Sequence, residues 1–128
     1  MIYADSDFFL ALIKPSDWLK TNVEAIYTQY KGQISTSLVT FIEIMLLARK
    51  FQLPPIQTTR AILKITEYPD TIPLKAAKFI EGGMGVFDAF HAAYCEDLIV
   101  SSDDTFKKAG LTRIHLEEQA DESSPPKK

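Results

Sequence analysis

Short apolar runs alternate with longer helical segments along most of this chain. Strands are predicted at 1–4, 33–36, 98–101 and 111–116. Helices are predicted at 8–13, 17–30, 37–51, 55–68, 73–80 and 86–94, with a shorter one that ends at 109. Strands separated by helices favour a parallel sheet with helices on both faces. The sequence therefore predicts an α/β fold, a three-layer α/β/α sandwich around a short central, mostly parallel sheet, in which the strand 98–101 is buried.

Length and composition fit one ordinary globular domain. Of the 128 residues, 46% are hydrophobic and 24% are charged, which is typical of a protein that buries a core without disulfides. We assign the domain to residues 1–116 and expect the polar segment 117–128 to be disordered. No apolar run approaches the roughly 20 residues that cross a bilayer, and no secretory signal is recognisable. We therefore expect a cytoplasmic protein without a membrane partner.

The cysteine count and the net charge limit the chemistry. Cys95 is the only cysteine, so an internal disulfide framework and a cysteine-based zinc cluster are excluded. A bound metal would have to be held by oxygen or by the two histidines, His91 and His115. The formal net charge of −3 does not provide a positive field that attracts nucleic acid to the whole surface. Contacts with RNA would therefore be few and local.

Glu43 is the only ionisable residue between positions 37 and 48. Because the residues around it are apolar on nearly every side, its helix is predicted to be buried. An unpaired carboxylate in such a helix would be strongly destabilising, so Glu43 should be protonated, paired with a cation or bound to a metal. A pair with Arg49 or Arg60 is the simplest of these explanations.

Three aspartates occupy positions that can also be explained individually. Asp88 lies in the first turn of the predicted helix 86–94, where the helix dipole favours an acid. Asp5 and Asp103 each follow a predicted strand and could cap the next helix. Together with Glu43, however, they could converge at one edge of the sheet. Two like charges 4 Å apart repel by about 4 kcal/mol at an effective dielectric of about 20, so four converging carboxylates would need a hard cation, Mg²⁺ or Mn²⁺.

Four segments resemble, in order, the four motifs of the PIN-domain family. These segments are Tyr3–Leu12, Ser35–Glu43, Asp88–Ala93 and Ser101–Phe106. The resemblance covers residues 1–116 and implies an acidic quartet of Asp5, Glu43, Asp88 and Asp103. It also implies that Ser6 and Ser101 are polar supports of this site. Asp7 departs from the family, where an uncharged residue is common, and either caps the first helix or adds a further acid; Ser101 replaces the usual threonine.

The same resemblance implies an activity and its cofactor. The chain is similar to PIN-domain endoribonucleases that are the toxins of type II toxin–antitoxin pairs. For such an enzyme we expect Mg²⁺ or Mn²⁺ to activate a water molecule for attack on the RNA phosphodiester. Asp5, Asp88 and Asp103 would be direct ligands, and Glu43 would position water or a second ion.

Partners follow from the resemblance as well. It implies a homodimer and a small antitoxin whose peptide lies in an apolar groove, with Trp18 and Phe8 as possible parts of that surface. Lys107 and Lys108 follow Asp103 closely enough to be candidates for contact with RNA. The alternative for these two lysines is an ordinary solvated helix face.

Two other functions fit parts of the sequence. The run Asp5-Ser6-Asp7 and the pair Asp103-Asp104 resemble the nucleophile loop and the late acidic pair of haloacid-dehalogenase-like phosphatases. That family expects Thr or Val where this chain has Phe9, and it leaves Glu43 unexplained. The second alternative is a non-catalytic PIN-like module that binds proteins. Calorimetric titration with Mn²⁺ separates this module from the nuclease, because only a catalytic domain must bind the ion.

Overall fold

The computed structural model describes residues 1–117, and its elements follow the order predicted from the sequence. The strands are β1 (Ile2–Tyr3), β2 (Ile34–Ser35), β3 (Leu98–Ser101) and β4 (Thr112–His115). The helices are α1 (Ser6–Ile13), α2 (Lys20–Tyr30), α3 (Leu38–Ala48), α4 (Pro55–Thr66), α5 (Ile72–Glu81) and α6 (Val86–Tyr94). A 3-10 helix, Asp104–Ala109, connects β3 to β4. The chain is therefore a mixed α/β protein, as predicted.

The strands form two separate two-stranded sheets. β1 pairs in parallel with β2, with Ile2 opposite Ile34, and β3 pairs in parallel with β4, with Leu98 opposite Thr112. The parallel direction is confirmed, but within residues 1–117 the two sheets are not joined into the single central sheet that the sequence predicts. β1 has only two residues, so it offers few hydrogen bonds to a second neighbouring strand.

The main core lies among the helices. Its largest almost fully buried side chains are Phe9, Phe41, Ile44 and Ile62. The small side chains of Ala76 and Ala77 on α5 and of Ala89 on α6 have no exposed surface, and small residues at a helix contact let the two backbones approach closely. Because α3 and α6 also pack on each other, this core fixes the two helices that carry Glu43 and Asp88.

Two apolar elements are more exposed than the sequence predicts. On α3, Val39 and Leu46 keep 61% and 50% of their surface exposed. On β3, Leu98 and Val100 are 59% and 58% exposed, and residues two apart on a strand share a face. The prediction that both elements are buried was wrong. An apolar pattern shows which residues could be buried, but it does not show whether a neighbouring element covers them.

The C-terminal boundary differs from the prediction at one residue. Glu117, which we assigned to the tail, is described and forms an ion pair with Arg113 at 2.8 Å. The remaining residues of that predicted tail, 118–128, lie outside the part of the chain that the structure describes. Among residues 1–117, no helix combines the length and the apolar character that crossing a membrane requires.

Candidate acidic site

Ser6, the residue after Asp5, contacts Glu43. Asp5 follows Ala4, the residue after β1. The Asp5 Oδ1 accepts a hydrogen bond from the backbone N–H of Asp7 at 3.1 Å, and this bond caps α1. Ser6 is buried, and its hydroxyl donates to Oε1 of Glu43 at 3.2 Å. This bond joins the first and second acidic motifs across 37 positions of the sequence.

Glu43 itself is exposed, which corrects the prediction that its helix is buried all round. α3 buries the face that carries Thr40, Phe41, Ile44, Met45 and Ala48. Glu43 lies on the opposite face, between Val39 and Leu46. The side chain therefore keeps contact with water, and desolvation does not force it to bind a cation. Burial therefore gives no reason for Glu43 to bind a metal, whereas its contact with Ser6 remains.

Hydroxyl groups of the second motif hold the end of β1 in place. The Thr36 hydroxyl donates to the carbonyl oxygen of Ala4 at 2.8 Å. The Tyr3 hydroxyl lies 2.7 Å from the Ser37 hydroxyl, and this hydrogen bond lowers the pKa of Tyr3 below its ordinary value. These side chains fix the backbone that leads into Asp5. They are supports of the site that sequence reasoning missed, because the partners are more than 30 positions apart.

Asp103 caps the 3-10 helix that follows β3. Its Oδ1 accepts a hydrogen bond from the backbone N–H of Thr105 at 2.9 Å. Its own N–H donates to the Ser101 hydroxyl at 3.0 Å. Asp103 and Ser101 are thus in direct contact, and the side chain of Asp103 is exposed. Both aspartates that follow strands, Asp5 and Asp103, have the capping role that the sequence leaves open for them.

Arg113 is a buried residue of this region that the sequence analysis did not identify. Its side chain is only 3% exposed. One guanidinium nitrogen donates to the Ser101 carbonyl oxygen and to the Glu117 carboxylate, each at 2.8 Å, and the other donates to Asp104 at 2.6 Å. These hydrogen bonds hold the pKa values of Asp104 and Glu117 below their usual range. Arg113 therefore ties the end of β3 to the acidic turn that contains Asp103.

The remaining predicted site residues lie at separate positions. Asp88 is half-buried in the first turn of α6. Asp7 is exposed in the first turn of α1, where an acid is favourable to the helix dipole. Lys107 lies 3.6 Å from Asp104 in a surface ion pair. Lys108 lines a small pocket beside Thr105.

The described acids do not assemble into a metal site. Asp5 and Glu43 are linked through Ser6, and α3 packs against α6, the helix that carries Asp88. Nevertheless, within residues 1–117 no three His, Cys, Asp or Glu side chains lie close enough together to hold a metal ion. The arrangement of the four acids in this structure does not fit a bound Mg²⁺ or Mn²⁺.

Comparison with models of protein families, with curated proteins and with solved structures finds no match to this chain.

Proposed function

We propose that this chain is a metal-dependent endoribonuclease of the PIN-domain type, acting in the cytoplasm as the toxin of a type II toxin–antitoxin pair. The observation that carries the proposal is the hydrogen bond from Ser6 to Glu43. It connects Glu43, the acid of the second motif, to the residue next to Asp5, the acid of the first motif. The sequence resemblance assigns both acids to one site. A phosphatase of the haloacid-dehalogenase type gives Glu43 no role and so leaves this contact unexplained.

The proposal requires the two sheets to join through β1 and β3 into one central sheet between two helical layers. Each of these strands has a single paired neighbour among the described residues, β2 or β4. Joined in parallel, β1 and β3 would place Asp5 and Asp103 at the same sheet edge, because each follows the carboxyl end of its strand. Pairing would also satisfy backbone N–H and C=O groups on the open edges of both strands. In this proposal, the joined sheet brings the four acids to one Mg²⁺ or Mn²⁺ ion.

Each serine in the proposed site already has a role that does not depend on an ion. Ser6 donates its hydroxyl hydrogen to Glu43 and so orients that carboxylate toward α1. Ser101 accepts a hydrogen bond from the backbone of Asp103 and limits the directions in which that side chain can point. Holding acidic groups in fixed positions before substrate binds is a large part of what a hydrolytic site contributes to catalysis.

An apolar cleft beside Asp5 suits the proposed antitoxin. The cleft has a volume of about 550 Å³ and is lined by Tyr3, Phe8, Ile26 and Tyr30 as well as by Asp5. An amphipathic segment could place apolar side chains here and a basic side chain on the acid. Trp18 is 89% exposed and remains a candidate for the same contact.

We also propose that the chain forms a homodimer, as the sequence resemblance implies. Val39 and Leu46 are exposed on α3 but share their face with Glu43. A contact between two copies that covered this face would close the proposed active site to RNA. The proposed dimer must therefore leave that face of α3 open.

The direct test is cleavage of a mixed RNA pool by the purified chain. We expect new RNA ends in Mg²⁺ or Mn²⁺, mapped by sequencing, and none after the ion is removed with a chelator. Asp5→Asn should reduce cleavage to the level of a buffer control while leaving the fold intact. Glu24→Gln, which changes an exposed acid on α2, is the matched control and should cleave like the unchanged protein. Undiminished cleavage by the Asp5 variant would refute the assignment.

A further inference from the structure

A small pocket lies between the C-terminal end of α5 and the 3-10 helix. Its volume is about 260 Å³, and Lys78, Gly82 and Gly83 line one side while Thr105 and Lys108 line the other. The backbone N–H of Thr105 donates to Oδ1 of Asp103. Thr105, which lines the pocket, is therefore hydrogen-bonded to Asp103, an acid of the proposed active site.

The charged side chains that line this pocket are positive, whereas the whole chain carries a formal net charge of −3. Both lysines are exposed, and no acidic residue is among the side chains that line the cavity. Among the described residues, neither Lys78 nor Lys108 takes part in an ion pair. The neighbouring Lys107 does pair, with Asp104 at 3.6 Å. Two ammonium groups that share a cavity without an acid repel each other, and an anion between them would remove that repulsion.

The shape of the pocket also leaves space for a ligand. Gly83 has a φ of +105°, and no atom lies within 4 Å of the position that a Cβ would occupy there. The N–H groups of Gly82 and Gly83 already donate to the carbonyl oxygens of Lys78 and Ile80. Binding groups must therefore come from side chains, namely the two ammonium groups and the Thr105 hydroxyl, which together match the acceptor oxygens of a phosphate.

We propose that the pocket formed by Lys78, Lys108 and Thr105 binds a backbone phosphate of a single RNA strand beside Asp103. The proposal extends the ribonuclease assignment, on which it rests for its substrate, and names a subsite for it. It explains how an acidic chain retains RNA, because a local pair of cations replaces a positive surface. A free phosphate or nucleotide has the same charged group, so the binding test below is repeated with inorganic phosphate as a competitor.

The test measures RNA binding without cleavage. A fluorescently labelled single-stranded oligoribonucleotide is titrated with the protein in a chelator, and its anisotropy is followed at several salt concentrations. Lys78→Gln and Lys108→Gln should each raise Kd several-fold. The double variant Lys78→Gln/Lys108→Gln should also reduce the slope of log Kd against log salt by about 0.7, the value for one phosphate contact on a single strand. Lys75→Gln, an exposed lysine on α5 that does not line the pocket, is the matched control and should bind like the unchanged protein.

The possible results are distinct. If both pocket variants bind RNA with unchanged Kd and salt slope, or if only inorganic phosphate binds in the pocket, the proposal is overturned. If RNA binding depends on both lysines but the chain cuts no RNA in Mg²⁺ or Mn²⁺, the phosphate subsite stands and the ribonuclease assignment fails. If RNA is cut with no contribution from either lysine, the assignment stands and the subsite fails.

Discussion

Arg113 links parts of the chain that the sequence analysis treated separately. Its guanidinium contacts the carbonyl of Ser101 at the end of β3, the carboxylate of Asp104 in the following turn and the carboxylate of Glu117 after β4. A guanidinium presents donors in a fixed planar fork, whereas a lysine ammonium is a single charged point. The position of Asp103, between Ser101 and Asp104, therefore depends on a residue ten positions further along the chain.

Replacing Arg113 with lysine should loosen the acidic turn without removing the charge. We expect the backbone amides of Asp103 and Thr105 to exchange with deuterium faster, because lysine cannot hold Ser101, Asp104 and Glu117 at once. Hydrogen exchange followed by mass spectrometry measures this effect. Lys14→Met, which breaks a separate ion pair with Asp17, serves as the control and should leave exchange in the turn unchanged. Equal protection of the turn in the Arg113 variant would show that the guanidinium does not hold it.

Glu117 should stabilise the fold only above acidic pH. Its hydrogen bond from Arg113 lowers its pKa in the folded chain, with smaller effects from charges on Arg113 and His115. Because the folded pKa of Glu117 lies below its unfolded pKa of about 4.3, the interaction stabilises the fold fully above that pH. This stabilisation is lost as the pH falls through the folded pKa. Thermal unfolding should therefore show Glu117→Gln to be less stable than the unchanged chain at pH 7, and the difference should shrink below pH 4. A difference that stays constant with pH would contradict this account.

Individual residues were predictable where the signal is local. An aspartate after a strand and before a helix identifies a cap, and the structure shows capping bonds at Asp5 and Asp103. Arg113 and Lys78 carried no local signal, since the role of each depends on segments that fold back from elsewhere in the sequence. The contacts of a charged residue can be predicted only when the distant element that packs beside it is known.

The helices and strands were predicted largely because their signals lie within a few residues. Hydrophobic periodicity and the positions of proline and glycine give the order of elements, and α6 and β3 have the predicted bounds. Strand pairing is different, because it joins residues far apart and depends on hydrogen bonds that no local pattern encodes. The two-residue β1 shows the consequence, since its single pairing with β2 was not foreseeable from Ile2 and Tyr3 alone.

The two faces of α3 should respond differently to truncation. Ile44 has no exposed surface and belongs to the main core, whereas Leu46 is 50% exposed. We expect Ile44→Ala to lower the free energy of unfolding by about 2–5 kcal/mol, the usual cost of removing a buried aliphatic side chain. Leu46→Ala should cost less than about 1 kcal/mol. Urea denaturation of both variants at the same low protein concentration measures the difference, and equal losses would show that α3 is buried on both faces.

At the scale of the whole molecule, the two halves of the proposed site belong to different sheets. Asp5 follows β1 in the first sheet, and Asp103 follows β3 in the second. The contact between α3 and α6 connects the two halves through the helical core. The proposed nuclease function would therefore require the strand ends of the two sheets to come together while that core is kept.

The measurement that tests this claim most directly is paramagnetic broadening of amide signals by Mn²⁺ in an NMR titration, with Mg²⁺ as the diamagnetic reference. If one ion is held by acids from both sheets, the amides of Ser6 and Asp103 should lose intensity in parallel at the same low Mn²⁺ concentration. In Asp5→Asn, both signals should persist at that concentration. Broadening of only one of the two amides in the unchanged protein, or of neither, would contradict the account.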